Sequence, residues 1–450
     1  MSSFHRFLFE EVPDGRDGWA RTGWLTLDGK KILIPNLCIP LGRSVFIDDL
    51  ALRLRISKET TGHTGSFLVR AFNYDRILRD RVAAIHQSTI TGEGYQRPVF
   101  REFYYGDVYI SDASAESLEY TRYTGKLAYS RRTPPLAQAL ARELDALEKK
   151  GTWDIRRRTV WKFWGTLHDD RKALSDTLRH SFNSQSETSA NILLPFQVVV
   201  RNHGLFQIAK LVNEYWVQRC GFEGKLTVAY ILLGPDAFRN HDLISEICEY
   251  VEDLQTEVVV LKVKNARFTD AEDYEALGEY GRLLTAFARL RHKRFSKTTT
   301  VALECGRQAF LNAIKSFDIV STDMSGTDKE QESHGGAYPA VYGSALDLDT
   351  MIPMTFDYWS KLFEKVGGWP DNHPYCKANI TTVDRSVYTS DRWNFVDRPI
   401  HNALVVDEWM HQIAEGIKEG QGKLIPQKLH NSQLRVLAEA VPAEGRLDRD

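Results

Sequence analysis

Between residues 193 and 324 the chain repeats an alternation that few architectures can accommodate. Short, continuous, β-branched apolar runs, "LLPFQVVV" (193–200), "KLTVAYILLG" (225–234), "EVVVLKV" (257–263), "TTTVALE" (298–304) and "FDIVSTDM" (317–324), are separated by amphipathic stretches. The periodicity predicts helices over about 204–219, 240–254 and 270–291, and one more over "GRQAFLNAIKS". Strands without alternating polar positions have both faces covered, and helical crossovers make neighbouring strands parallel. Five such units in succession, in a chain of 450 residues, favour an α/β fold of the (β/α)8 TIM-like barrel type over an open doubly wound sheet. No glycine-rich phosphate loop follows any run, which weakens a nucleotide-binding reading.

The flanks elaborate this frame. "WARTGWLTLDGKKILIPNLCIPLG" (19–42) reads as two strands joined by a turn in which Asp-Gly supplies the positive φ of a tight hairpin. "PPLAQALARELDALEKKG" (134–151) is a helix with Pro at its start and Gly at its end, and the strongly basic stretch after it continues helically. Residues 1–350 are therefore expected to form the barrel, with an amino-terminal hairpin and a basic helical insertion at about 113–190. Residues 351–430 form a further subdomain with a closing helix, and 431–450 a polar tail. The 58 basic and 60 acidic residues leave a net charge of −2, so no global field announces a partner, although local patches remain allowed. Five scattered cysteines suit a reduced, cytoplasmic protein, and the lack of any run of about 18 apolar residues predicts no membrane partner.

Two constellations carry chemistry. "GGWPDNHPYCKAN" (367–379) places Asp371, His373 and Cys376 within six positions, and "RPIHN" supplies His401 twenty-five residues later. One carboxylate, two imidazoles and one thiolate suffice for a closed tetrahedral zinc site, while the plainer reading is a Pro-flanked loop that happens to hold polar residues. "DIRRRTVWKFW" (154–164) and "RLRHKRFSK" (289–297) interleave positive charge with aromatics. Arg156, Arg157, Arg158, Arg291, Lys293 and Arg294 suit phosphate contact, and Trp161, Trp164 and Phe295 suit base stacking; the alternative is a solvated helix face.

Several segments resemble, in order, those of the queuine/archaeosine tRNA-guanine transglycosylases. "DGWARTGWLTLDGKKILIPNLCIPLG" is similar to that family's opening hairpin and Pro-containing strand. "YISDASAE" (109–116) lies where the family has its Thr-Asp-Ser-Gly-Gly strand end, and "PFQVV" (195–199) resembles its Pro-Val-Gln-Gly-Gly strand. "GFEG" (221–224) resembles the Gly-Phe-Asp-Gly before the next strand, and "ALECGRQAFLNAIKSFDIVSTD" (302–323) the last two barrel strands. "IHNALVVDEWMHQIAEGIKEG" (400–420) resembles the family's closing His-Asn helix. The spacing of Asp371, His373, Cys376 and His401 matches the family's Cys-x-Cys-x2-Cys and following His, with two ligand types replaced. The resemblance spans residues 15–425 or thereabouts.

The resemblance implies base exchange, in which one Asp attacks the anomeric carbon and a second acts as acid and base beside the purine. It points to Asp112 as the acid/base, although "SDASAE" also reads as a helix cap. For the nucleophile it points to Asp323, with Asp318 in reserve, because the family's position counts to Ser321 and Asp323 shares that side of the strand. Gln197, Ser321, Tyr230 and Gly234 fall on the base-binding positions, and the family's Gly-Gly-Leu strand has become Val228-Ala229-Tyr230-Ile231. These departures, the altered metal ligands and the basic insertion favour the branch that inserts 7-cyano-7-deazaguanine into DNA, beside a partner protein of a modification cluster. Other readings are a tRNA enzyme of unusual sequence, an inactive nucleic-acid-binding homologue, and a hydrolase using Asp323 and His334 of "ESHGGAYPAVYG". The four-ligand pattern predicts one zinc per purified chain by elemental analysis; metal-free protein rejects the site. Cys376→Ala should lower the unfolding temperature, because structural zinc binding is itself folding free energy.

Overall fold

The computed structural model describes residues 7–17, 20–41, 66–70, 108–112, parts of 178–200, 201–263, 274–293, 298–303, 305, 316–321, 345–346, 353–354 and 398–419. It is a mixed α/β structure whose centre is a parallel sheet. The amino-terminal strands β1 (Phe7–Asp17), β2 (Ala20–Leu27) and β3 (Lys30–Ile34) form an antiparallel sheet of their own. Asp28 (φ 49°) and Gly29 (φ 79°) make the β2–β3 turn, as the Asp-Gly pair predicts. Gly23 faces β1 so closely that an added Cβ would lie 2.5 Å from the Glu10 carbonyl oxygen, so no other residue fits there.

Eight strands make the central sheet: β4 (Asn36–Leu41), β5 (Ser66–Arg70), β6 (Val108–Asp112), β7 (Ile192–Leu194), β8 (Val228–Leu233), β9 (Val258–Val263), β10 (Thr299–Leu303) and β11 (Ile319–Ser321). Their order is β7-β6-β5-β4-β11-β10-β9-β8, and every ladder is parallel. Each strand therefore lies beside its neighbour in sequence except at two places. The last strand, β11, returns to the first, β4, and between β7 and β8 the described residues show one bridge, from Val200 to Leu233. The expected strand over 193–200 is interrupted because Pro195 cannot donate to a ladder, and regular pairing ends at Leu194.

The helices α1 (His203–Phe222), α2 (His241–Asp253) and α3 (Tyr274–His292) follow the expected pattern, and a 3-10 turn spans Pro235–Arg239. The helix expected over 306–316, Ser316 apart, and those expected over 113–177 fall outside the described residues. Asn202 and Asn240 cap α1 and α2, each accepting at 3.0 Å from the backbone N–H three residues on. Each cap belongs to a repeated Arg-Asn-His triplet, 201–203 and 239–241. His203 meets Glu246 of α2 at 2.8 Å, and His241 meets Glu279 of α3 at 2.6 Å. The first residue of each helix is thus clasped to the sixth residue of the next. The short strands β12 (Ala345–Leu346) and β13 (Pro353–Met354) pair with each other. The closing helix α4 (Arg398–Lys418) buries Val405, Trp409, Met410, Ile413 and Ile417 and contacts β1, β2, β4 and β12. Among the described residues no helix is long and apolar enough to cross a membrane.

Asp318 joins these parts beneath the amino end of β11. Its carboxylate accepts from Arg21 Nε at 2.9 Å and Nη2 at 2.7 Å, and from the Thr300 N–H at 3.0 Å, with Arg291 Nη1 at 3.4 Å. Asp318, Arg21 and Arg291 are all buried. Burial alone would raise the Asp318 pKa, but the charges of Arg21 and then Arg291 outweigh it and hold the carboxyl below its usual range. This contribution to stability is present at neutral pH and is lost as pH falls through the depressed folded-state value. Arg21→Met, which strands a buried carboxylate, should cost about 3–5 kcal/mol in denaturant unfolding. Asp318→Asn should remove part of the wild-type loss of stability in acid; unchanged unfolding curves would show the pair to be unimportant.

Candidate active site

Register and side-chain alternation divide the parallel sheet into unlike faces. Tyr230, Val260, Val301 and Ile319 lie in register, as do Ile319 with Asn36 and Ser321 with Cys38 and Ser66. One face therefore carries Tyr230, Lys262, Thr299, Ser321, Asn36, Cys38 and Ser66, every one buried. Among the side chains described on β8–β11 and β4, the opposite face carries Ala229, Ile231, Leu233, Val259, Leu261, Ala302, Val320 and Leu37, with Thr300 a polar member. The Thr300 hydroxyl donates to the Ser316 carbonyl, and the Ser316 hydroxyl to the Leu284 carbonyl of α3, so the apolar face lies against the helices. The polar face is the side on which chemistry is possible.

Several of its groups are already engaged. The Ser66 hydroxyl and N–H both donate to Asn36 Oδ1, at 2.7 and 3.0 Å. Burial pushes the Cys38 thiol far up, against a smaller lowering from Ser66, so Cys38 is a packing residue and not a thiolate nucleophile. Lys262 was missed by motif reasoning. It stands one residue before the carboxyl end of β9, beside Leu232 of β8 and Leu303 of β10, and is 1% exposed. Its signal in the sequence is a single charge inside the apolar run "VVVLKV".

The expected site residues are distributed as follows. Asp112 is the last residue of β6, its Cα between Arg70 of β5 and Leu194 of β7. Ser321 is the last residue of β11, buried beside Cys38, and its carbonyl accepts from the Cys305 N–H at 2.8 Å. Both therefore stand at the carboxyl end of the sheet. Asp323 and His334 lie outside the described residues. Asp318 corrects the reserve assignment: it is at the opposite end of β11, sealed from solvent and held by two arginines, and offers no carboxylate to a sugar. Arg291 corrects a nucleic-acid assignment, because its fully buried side chain is Asp318's partner and not a surface cation. Lys293 is exposed and donates to the Glu252 carbonyl. Arg156, Arg157, Arg158, Arg294, Asp371, His373 and Cys376 lie outside the described residues, and His401 falls in the first turns of α4. Among the described residues no group of three His, Cys, Asp or Glu side chains could hold a metal. His411 of α4 is half-exposed, 2.9 Å from the Asp407 carbonyl oxygen.

Gln197, expected to read a guanine edge, instead helps close the interval between β7 and β8. Its Nε2 lies 3.0 Å from the Tyr230 carbonyl oxygen and 3.2 Å from Asn213 Oδ1. Asn213 of α1 accepts from the Tyr230 N–H at 2.9 Å and donates to its carbonyl at 3.1 Å, doing with one amide what a neighbouring strand would do. One turn on, Trp216 Nε1 donates to the Leu193 carbonyl of β7 at 2.8 Å. Val200 completes the interval, donating to the Leu232 carbonyl and accepting from the Gly234 N–H. Gly234 is required by this approach, because a Cβ there would lie 2.8 Å from Arg201 Cγ. A single helix thus bonds both terminal strands of the sheet.

Neither a protein-family model nor a curated protein matches this chain. Asn213→Leu keeps the volume but leaves the buried Tyr230 N–H without its acceptor. It should destabilise the protein by about 1–3 kcal/mol in denaturant unfolding. A wild-type midpoint would mean that the seam does not depend on this amide.

Proposed function

We propose that the chain is a base-exchanging transglycosylase that replaces guanine in DNA with a 7-deazaguanine such as 7-cyano-7-deazaguanine. The proposal takes the parallel sheet as a (β/α)8 barrel. The observation that carries it is the strand order: β11 returns to β4 in an all-parallel sheet, so the ends of β6 and β11, at Asp112 and Ser321, lie on one end of the sheet. That end is where barrels of this type place their chemistry. The resemblance of motifs in order along the chain supports the same reading.

In this mechanism the target nucleotide is drawn out of the helix so that its sugar reaches the strand ends. An Asp323 carboxylate oxygen forms a bond to C1′ as the C1′–N9 bond breaks, and the electron pair leaves with guanine, which Asp112 protonates. The incoming 7-deazaguanine gives its N9 proton to the Asp112 carboxylate. Its N9 then attacks C1′ and expels Asp323, restoring both groups. Asp371, His373, Cys376 and His401 would hold a zinc ion that supplies structural cross-linking only; the donor set suits a closed tetrahedral site. Arg156, Arg157, Arg158 and Lys293 would hold phosphates. A second reading, an inactive nucleic-acid-binding homologue, draws on Ser321, a residue without nucleophilic charge at the end of β11.

Incorporation of labelled guanine into duplex DNA, with tRNA in parallel, tests the proposal. DNA is expected to be labelled, and Asp323→Asn should abolish labelling and the covalent adduct. Asp112→Asn should stop turnover while leaving binding. Arg156, Arg157 and Arg158 changed together to Ala should weaken DNA binding and flatten its dependence on salt. Labelling of tRNA alone would move the substrate class. Labelling of neither, with DNA bound, would establish the inactive reading.

A further inference from the structure

The outer face of the amino-terminal sheet is more apolar than a face open to water requires. Strand pairing sets six of its residues in two rows, Glu10–Trp24–Leu33 and Leu8–Thr26–Lys31, each running from β1 across β2 to β3. Alternation sends Leu25, Leu27, Ile32 and Ile34 to the other side, and all four are buried. An antiparallel sheet covered on one side normally presents polar residues on the other. Here three of the six outward positions are apolar, with Leu8 50% and Trp24 37% exposed and Leu33 partly so. Among the described residues three large hydrophobic side chains are exposed, and two of them share this small face.

The charges on the face select its occupant. They are one base and one acid, on opposite edge strands. Lys31 Nζ lies 2.8 Å from Glu10 Oε2 and 5.2 Å from the centre of the Trp24 ring. Both charged side chains are about half-exposed, so the pair exchanges partners at little cost. A face of zero net charge attracts neither a polyanion nor a polycation, but it complements itself. A two-fold axis lying in the plane of contact, along the Leu8–Leu33 diagonal, sets each Glu10 against Lys31 of the second copy. The same axis brings Leu8 onto Leu8 and Leu33 onto Leu33.

We infer that this face binds a second copy of the chain, forming an isologous dimer centred near Trp24. Tryptophan is among the residue types that most often dominate such contacts. Six positions make a contact smaller than the ~800 Å² per partner of a standard interface, so the dimer is weak and forms as concentration rises. Arg21 joins the hairpin to Asp318 and to the Thr298 carbonyl, at the amino ends of β11 and β10. The contact therefore belongs to the opposite end of the parallel sheet from Asp112 and Ser321.

Sedimentation velocity of the full-length protein over a micromolar concentration series should show a reversible monomer–dimer equilibrium. Trp24→Ser should weaken it by about ten-fold or more, in protein that remains folded by circular dichroism. Lys31→Glu leaves the face with two acids and Glu10→Lys leaves it with two bases, so each variant alone should be monomeric. Mixed in equal amounts the two should associate, because the axis then sets every acid against a base. A loss of folding in either variant cannot produce that recovery. Wild-type protein that stays monomeric throughout the series overturns the inference. Association that persists undiminished in Trp24→Ser also overturns it, as does a mixture of the two charge variants that remains monomeric.

Discussion

The buried contact of Asp318 with Arg21 and Arg291 holds together three parts of the chain that share no continuous element. Arg21 comes from the amino-terminal hairpin, Arg291 from the end of α3, and Asp318 from the turn into β11. The Asp318 carbonyl also accepts from the Asn36 N–H, the first residue of β4, while its own N–H donates to Thr300 at the start of β10. One residue therefore determines which two strands flank β11 and places the hairpin beneath them. A buried ion pair is weak evidence for net stability, since two desolvated charges only about offset their attraction. Its value here is registry. A one-residue slip of β11 would carry Ile319 and Ser321 to the helix side and leave two arginines buried without a carboxylate.

That registry separates polar from apolar across the sheet. With Ile319 against Asn36, the residues Asn36, Cys38, Ser66, Ser321, Tyr230 and Lys262 share one side, and from β8 to β11 the described side chains on the other side are aliphatic except Thr300. The polar side has few interaction partners to spare, because Asn36 with Ser66 and Gln197 with Asn213 form compact amide and hydroxyl pairs. Asp112, Ser321 and Lys262 stand at or near the carboxyl ends of three different strands.

Much of the frame could be read from residues alone because its signals are local. The Asp28-Gly29 turn, the asparagine caps and the apolar runs each state their own structure within a few positions. What escaped reading was decided at a distance. Arg291 lies in a run of exposed-looking cations, and only its partner 27 residues on turns it inward. Gln197 sits in a motif that suggests recognition of a base, yet the break imposed by Pro195 leaves a gap that a side-chain amide must fill. Asp318 stood in reserve as a nucleophile, but the two arginines that seal it lie 297 and 27 positions away in the chain. The repeated Arg-Asn-His triplet is too short to stand out until both copies are seen to do the same work.

Those two triplets also imply an order of assembly. The clasps His203–Glu246 and His241–Glu279 span 43 and 38 residues, whereas Arg21–Asp318 spans 297. Lengthening a loop adds little to its equilibrium cost, about 0.6 kcal/mol per doubling, but contacts of large separation dominate the time a chain needs to fold. The units from α1 to α3 can therefore accumulate by nearest-neighbour steps, each helix start finding the helix that follows it. The return of β11 to β4 has no such local guide and waits for both ends of the chain. The pairings of the middle are therefore expected to form before β11 meets β4, the contact of larger separation in sequence.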